Sequence, residues 1–267
     1  GTVTAFDPQI SAPGGGVTAL DISSDGSILY VGGTFIGGAL GGPNADVVRN
    51  NAFGVTVADS VFTAFDPDLD GPVQAIKVVD DTTVYIGGSF TEVNGGTVRN
   101  ALAAFDADDG VVTVFSPEVA NGADPSIVYT LALSADGETL YTGGDIASAG
   151  GATRSNFAAF DVGTGNLTAF HPDFNRTVYT ISTATDESTY IGGSFEGYGT
   201  VLRNGIFAVD LSDDSITDFD PDMGESTVND IKLSSDDTVL YTVGTFTTIG
   251  GGAQAGIGSI NTDDGTI

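Results

Sequence analysis

The 267-residue sequence contains no cysteine, no tryptophan, one methionine and one histidine. Without cysteine there is no disulfide framework and no thiolate to act as nucleophile or ligand, and the redox compartment stays open. With His171 as the sole imidazole, neither a histidine-based metal centre nor a Ser-His-Asp set has its material. Basic residues are equally scarce: 7 Lys and Arg against 36 Asp and Glu leave a formal charge of −29. Nucleic-acid binding needs cations to neutralise phosphates, and an anionic bilayer surface repels such a chain. Apolar residues never keep helical spacing beyond about two turns. No run is long enough to span a membrane as a helix. Disorder is excluded in turn by a hydrophobic content of 40% and by strong periodicity.

What is present is repetition. YIGGSF occurs at residues 85–90 and again at 190–195, with weaker copies YVGGTF at Tyr30, YTGGDI at Tyr141 and YTVGTF at Tyr241. Five copies of one unit follow, over about 17–72, 73–127, 128–177, 178–227, and 228–267 together with 1–16. Each begins with an apolar run (VTALDIS, VQAIKVV, VYTLALS, VYTISTA, VNDIKLS), turns tightly, and enters the Tyr segment. A Gly-rich loop leads to a third segment such as ALAAFDA or NFAAFDV. VFTAFDP, VVTVFSP, NLTAFHP and SITDFDP close four of the units.

Val, Ile, Thr, Tyr and Phe dominate these segments and suit a pleated, half-buried surface. The links carry Asp-Gly, Gly-Thr-Gly or Asp-Asp, which tolerate positive φ in tight hairpins. Glycine inside a strand marks close approach of another backbone or a bulge, so the repeated Gly pair implies stacked sheets. The expected fold class is all-β: a single five-bladed β-propeller domain over residues 1–267, built of four-stranded antiparallel blades. The fifth copy stops at DDGTI and the chain opens with GTVTAFDP, so Thr2–Phe6 is expected to complete the last blade and remove two free edges. Gly265, Thr266 and Ile267 duplicate part of that opening strand, and the chain starts at Gly1 without methionine. Both features point to a piece of a longer, processed or multidomain protein.

The motif V-x-A-L-x-L-S-x-D-G-x-x-L-Y-x-G-G-x-F, followed by G-G-x-x-R-N-x-x-A-x-F-D, resembles the delta-60 repeat propeller family over nearly the whole chain. Kelch propellers share the Gly pair, but their partner tryptophan is missing, as is the WD dipeptide of WD40 repeats. The resemblance implies a binding or architectural propeller of secreted and surface proteins, extracellular or displayed at the cell surface, and supplies no catalytic residues. Departures are local: Gln254 replaces Arg, Val243 replaces a glycine, and the first copy carries an insertion around GALGGPNADV.

Arg49, Arg99, Arg154 and Arg203 hold the same place in four copies. A ring of guanidinium groups gripping an anion is one reading. Bonding of loop carbonyls, or of an Asp of the adjacent blade, is the favoured one, because Gln254 keeps donors and drops the charge. Lys77 and Lys232 share the fifth position of the first strand with Asp21, and ring closure would gather the three near the channel as an ion-pair row or small anion site. Asp66, Asp68 and Asp70 form D-x-D-x-D-G, the start of a calcium loop, although Lys77 stands where its closing Glu belongs. Calcium is therefore a candidate cofactor, set against D-P-D as an ordinary blade-ending turn. Asn166 and Asn175 head glycosylation sequons.

Enzyme activity has little support. The remaining route is a carboxylate pair as in glycosidases, for which Asp230, then Asp21, are the non-repeated candidates at the channel mouth. The expected function is an architectural or interaction propeller of a fibre, sheath, surface layer or adhesin. Expected partners are other copies of itself or neighbouring surface domains, with glycan binding as the alternative. The acidic surface fits marine or saline media, where salt screens self-repulsion.

Overall fold

The structure, a computed structural model, describes residues 6–8, 15–38, 47–186, 188–198, 201–210, 215–224 and 226–267. It is all-β, and no helix occurs among the described residues. The chain divides into two compact units, Gly1–Glu118 and Val119–Ile267. The boundary falls just after the closing segment of the second repeat.

Each repeat forms one antiparallel sheet whose strands lie in sequence order. The first unit holds Val17–Ile22, Ile28–Gly38 and Val48–Thr56 in one sheet, and Val73–Val79, Thr83–Gly88 and Leu102–Asp106 in the next. The second unit holds three sheets. They are Ile127–Leu133, Thr139–Asp145 and Phe157–Asp161; Val178–Thr183, Ser188–Gly193 and Ile206–Asp210; and Val228–Leu233, Val239–Gly244 and Ile257–Asn261.

The expected fourth strand is much reduced. It survives as single bridges, Val55 to Phe62, Phe105 to Val112 and Phe160 to Leu167, and as the two-residue strand Ser215–Ile216. The cause is local. One residue after each bridge the amide still joins the ladder, as Thr63 N donates to Gly54 O at 2.9 Å, but the Thr63 carbonyl is taken by Arg49. Pro67, two residues past Phe65, has no amide to donate.

The Gly-rich loops are themselves structured, which the sequence pattern did not suggest. Glu92–Val93 pairs with Thr97–Val98, Ser148–Ala149 with Ala152–Thr153, Gly197–Tyr198 with Val201–Leu202, and Thr248–Ile249 with Gly252–Ala253. Gly150 and Gly151 take φ of 55° and 75°, the left-handed pair that a two-residue hairpin requires, whereas Asn94, Gly95 and Gly96 form a three-residue turn with positive φ throughout.

The closing strand expected at Thr2–Phe6 lies outside the described residues except for Phe6, as do residues 39–46 of the insertion around GALGGPNADV. Phe6 packs on the buried cluster of Val31, Phe35, Phe53 and Val55, and Asp7 N donates to Ser60 Oγ at 3.0 Å. Phe65 has the same seat on the second repeat, among Val84, Ile86, Phe90 and Phe105. At the other end Asn261 N donates to Thr266 O at 2.7 Å, matching Asp106 N to Val111 O at 2.9 Å, so the fifth repeat starts its own fourth segment in place.

The repeated hexamer explains itself in the stacking. A Cβ on Gly32 would collide with Val73 of the following repeat, and one on Gly143 with Val178. The second glycine of the pair lies over the carbonyl of the residue that precedes the first-strand valine: Gly33 over Gly16, Gly88 over Pro72, Gly144 over Ile127, Gly193 over Thr177 and Gly244 over Thr227. The register slips at this point, as between Val73 and Ala75. The repeated tyrosine meets the repeated phenylalanine edge-on, with ring centroids 5.0 Å apart for Tyr30 and Phe65 and 5.1 Å for Tyr190 and Phe219.

Candidate functional site

Arg99, Arg154 and Arg203 stand just before the third strand, where the chain leaves the loop hairpin, and Arg49 lies at the start of its own third strand, Val48–Thr56. Arg49 donates to Val48 O and Thr63 O, both at 3.0 Å, and to Asp66 Oδ2 at 3.1 Å. Arg99 reaches Val98, Thr113 and Phe115 carbonyls at 2.9, 3.2 and 3.0 Å. Arg154 binds Thr153 O and Thr168 O, and Arg203 binds the carbonyls of Thr217 and Phe219 with Asp220 as counter-ion. Each guanidinium thus ties the closing segment to the loop of its own repeat. The aspartates engaged, Asp66 and Asp220, also belong to the same repeat, not to the neighbouring one.

Asp21 and Lys77 meet across the first two sheets at 3.2 Å, and Asp21 also accepts from the Val78 amide at 2.8 Å. Both side chains are half-buried, a setting in which such a pair contributes modestly. Lys232 is an exposed residue of the fifth sheet, opposite Tyr241 in register. Asp230 is exposed as well, and its Oδ1 accepts from Thr180 Oγ1 at 3.1 Å. Asp21 and Asp230 therefore serve as couplers between consecutive first strands.

The three carboxylates of the D-x-D-x-D-G stretch serve different partners. Asp66 pairs with Arg49, and Asp68, at φ 44°, accepts from Asn50 at 2.7 Å. Asp70 accepts from Thr91 N, Thr91 Oγ1 and Glu92 N at 2.7, 2.6 and 2.9 Å, holding the loop hairpin of the second repeat. Burial acts to raise Asp70, but these bonds outweigh it and keep its carboxyl below the usual range. Asp66 shifts the other way, raised by burial against the pull of Arg49. Among the described residues no group of three or more His, Asp or Glu is placed to hold a metal ion. Asn166 is exposed; Asn175 is also exposed, with its side-chain oxygen accepting from Glu196 N at 3.0 Å.

Sequence reasoning missed a cleft of about 400 Å³ between the fourth and fifth repeats. Asp186, Asp218, Asp236, Asp237 and Asp263 line it, around the buried ring of Tyr190. Thr185 donates through its amide and hydroxyl to Asp237 at 2.9 and 2.7 Å, closing the two turns against each other. Burial first, and the Asp186 charge second, push the Tyr190 hydroxyl up to about 12. The only sequence signal was the aspartate content of four separate turns and bends, which serves equally well for turn formation. A second cleft, of about 430 Å³, is lined by Ser194, Asn204, Ser226, Thr227 and Thr245 beside the Arg176–Glu196 ion pair.

No family model matches the chain. No curated protein matches it. Among solved structures it resembles a chain of the structure titled "Crystal Structure of Mitotic Checkpoint Complex", a WD40-type propeller, with a TM-score of 0.60 at 16% identity. The match covers 91% of this chain and 63% of that one. Identity this low speaks for the fold alone, and the fold is β-propeller-like.

Proposed function

We propose that the chain is an architectural and interaction module of an extracellular or cell-surface assembly, built from propeller blades of the delta-60 type. The supporting observation is how the repeated polar groups are used. The arginines bind carbonyls of their own repeats, and Asp21, Asp70, Asp230 and Asp237 fasten strands and turns of consecutive repeats. Repetition thus serves stacking, and function falls to residues that differ between copies. The carboxylates that would suit a glycosidase are employed in the same way.

A second reading, carbohydrate binding without turnover, draws on the hydroxyl-lined cleft of Ser194, Ser226, Thr227 and Thr245. There Ser226 Oγ is a buried hydroxyl with no hydrogen-bond partner. The test is incubation with a glycan array and a panel of glycosidase substrates, repeated with Asp230→Asn. The architectural reading expects neither binding nor hydrolysis. Binding unchanged by Asp230→Asn would favour the lectin-like reading, and hydrolysis lost in that variant would replace both.

A further inference from the structure

Asparagine precedes glycine three times in the chain, at Asn94-Gly95, Asn121-Gly122 and Asn204-Gly205. Such a junction carries its own nucleophile: the glycine amide nitrogen, unshielded by a Cβ and free to rotate, lies one residue from the asparagine carboxamide, at the effective concentration of an intramolecular group. Whether it reacts depends on what holds the two groups, and the three sites differ in this.

At Asn94 the carboxamide is held. Its Nδ2 donates to Gly110 O at 3.0 Å, Pro67 O at 3.3 Å and Asp66 O at 3.4 Å, and its Oδ1 accepts from Val112 N at 2.6 Å. At Asn204 the attacking nitrogen is held instead. Gly205 is buried, and its amide donates to Phe195 O at 3.0 Å, a bond repeated by Ala101 to Phe90, Asn156 to Ile146 and Gly256 to Phe246. At Asn121 neither restraint is found. The pair begins the turn 121–124, closed by Asp124 N donating to Asn121 O at 3.1 Å, and Gly122 enters it at φ 62°, where glycine is favoured. Gly122 is exposed and Asn121 half-buried. Among the described residues none forms a hydrogen bond with the Asn121 carboxamide or the Gly122 amide.

We infer that Asn121 is a site of spontaneous modification, converting in the folded protein to a mixture of aspartate and isoaspartate while Asn94 and Asn204 persist. The Gly122 nitrogen attacks Asn121 Cγ, the new C–N bond closes a five-membered imide, the Cγ–Nδ2 bond breaks, and ammonia leaves with the proton that the Gly122 amide gives up. Water then adds to either imide carbonyl. Opening at one restores the backbone with an aspartate side chain; opening at the other routes the backbone through Cβ and Cγ as isoaspartate. Only water enters the balance and only ammonia leaves it, and each conversion adds one negative charge at neutral pH. That charge arrives opposite Asp124, the bridge partner of Asn121, and like charges directly opposed destabilise a strand pair. The modification thus loosens the turn through which the chain enters Ile127–Leu133, the first strand of the third repeat. It needs no partner, so it is independent of the architectural and glycan-binding readings alike.

The test is incubation of the full chain in mildly alkaline buffer, followed over time by peptide mapping with mass spectrometry and by enzymatic methylation of isoaspartate. Asn121 is expected to convert about tenfold or more faster than Asn94 or Asn204, because those two must first open locally. In guanidinium chloride the three rates should converge, since every junction is then an unrestrained Asn-Gly. Asn121→Gln replaces a side chain that has no bond to lose, so the variant should keep the fold. It should also abolish the early release of ammonia, because glutamine needs the slower six-membered closure. A native rate at Asn121 no higher than at the other two, a ranking that survives denaturation unchanged, or early release that persists in Asn121→Gln would each overturn the inference.

Discussion

Gly192 lies directly beneath Val228: a methyl built on the glycine would stand 2.9 Å from Val228 Cγ1 and 2.6 Å from Thr180 Cγ2. The second strand of one repeat is thereby locked to the first strand of the next. Gly192→Ala should destabilise the protein by about 1–3 kcal/mol, the usual cost of overpacking. Val228→Ala should also destabilise alone, but the double variant should cost less than the sum by about 1 kcal/mol. Chemical denaturation of the four proteins gives the coupling, and strict additivity would show that the glycine is not there for the valine.

Arg154 is 7% exposed, and its guanidinium holds two carbonyls at 2.8 and 2.9 Å. Arg154→Ala removes both charge-assisted bonds, with an expected loss of about 2–3 kcal/mol. Arg154→Lys should recover little, because an ammonium cannot span both acceptors as the planar fork does. Arg176, paired with Glu196 on the surface, is the control, and Arg176→Ala should cost less than about 1 kcal/mol. Equal effects at the two positions would refute a structural role specific to the repeated arginines.

The sheets were legible because each residue in the hexamer has one job in every repeat. The glycine pair announced close approach, and the recurrence of the tyrosine and of the F-D-P phenylalanine marked both as packing residues, while their edge-on contact came only with the structure. Three things were hidden. The loop hairpins use strands of two residues, too short for alternation to register, although Asn94-Gly95, Gly150-Gly151 and Gly250-Gly251 carried turn chemistry. The fourth segment reads as a strand from Val61 to Phe65, yet Arg49 diverts its carbonyl, a competition that propensity does not contain. The acidic cleft draws Asp186, Asp218, Asp236 and Asp263 from separate turns, so only stacking brings them together.

Tyr190 should report the field of that cleft. Its hydroxyl, raised to about 12 by burial and then by Asp186, contributes stability that is complete below the ordinary tyrosine value of 10.0. That contribution is lost as pH rises from there through 12, because the folded state keeps its proton longer than the unfolded one. Spectrophotometric titration of tyrosinate should show a late step that disappears in Tyr190→Phe. The alkaline fall in stability should be shallower in that variant. A wild-type titration finished by pH 11 would contradict the cleft's geometry.

Net charge makes the last expectation. At −29 the folded chain repels itself more than an expanded one does, and the five cleft aspartates concentrate the effect between the fourth and fifth repeats. The screening length is about 10 Å at 0.1 M salt and about 3 Å at 1 M, so most of the relief should arrive below about 0.5 M. The thermal midpoint should therefore climb steeply with sodium chloride at first and then flatten. Solute exclusion from the surface would give a steady climb instead. Asp263→Asn, which removes one exposed charge of the cleft, should raise the midpoint in low salt, and that gain should shrink as salt is added. A midpoint indifferent to salt, or an Asp263→Asn gain that persists at 1 M, would place the destabilising charge elsewhere and remove the argument for a saline setting.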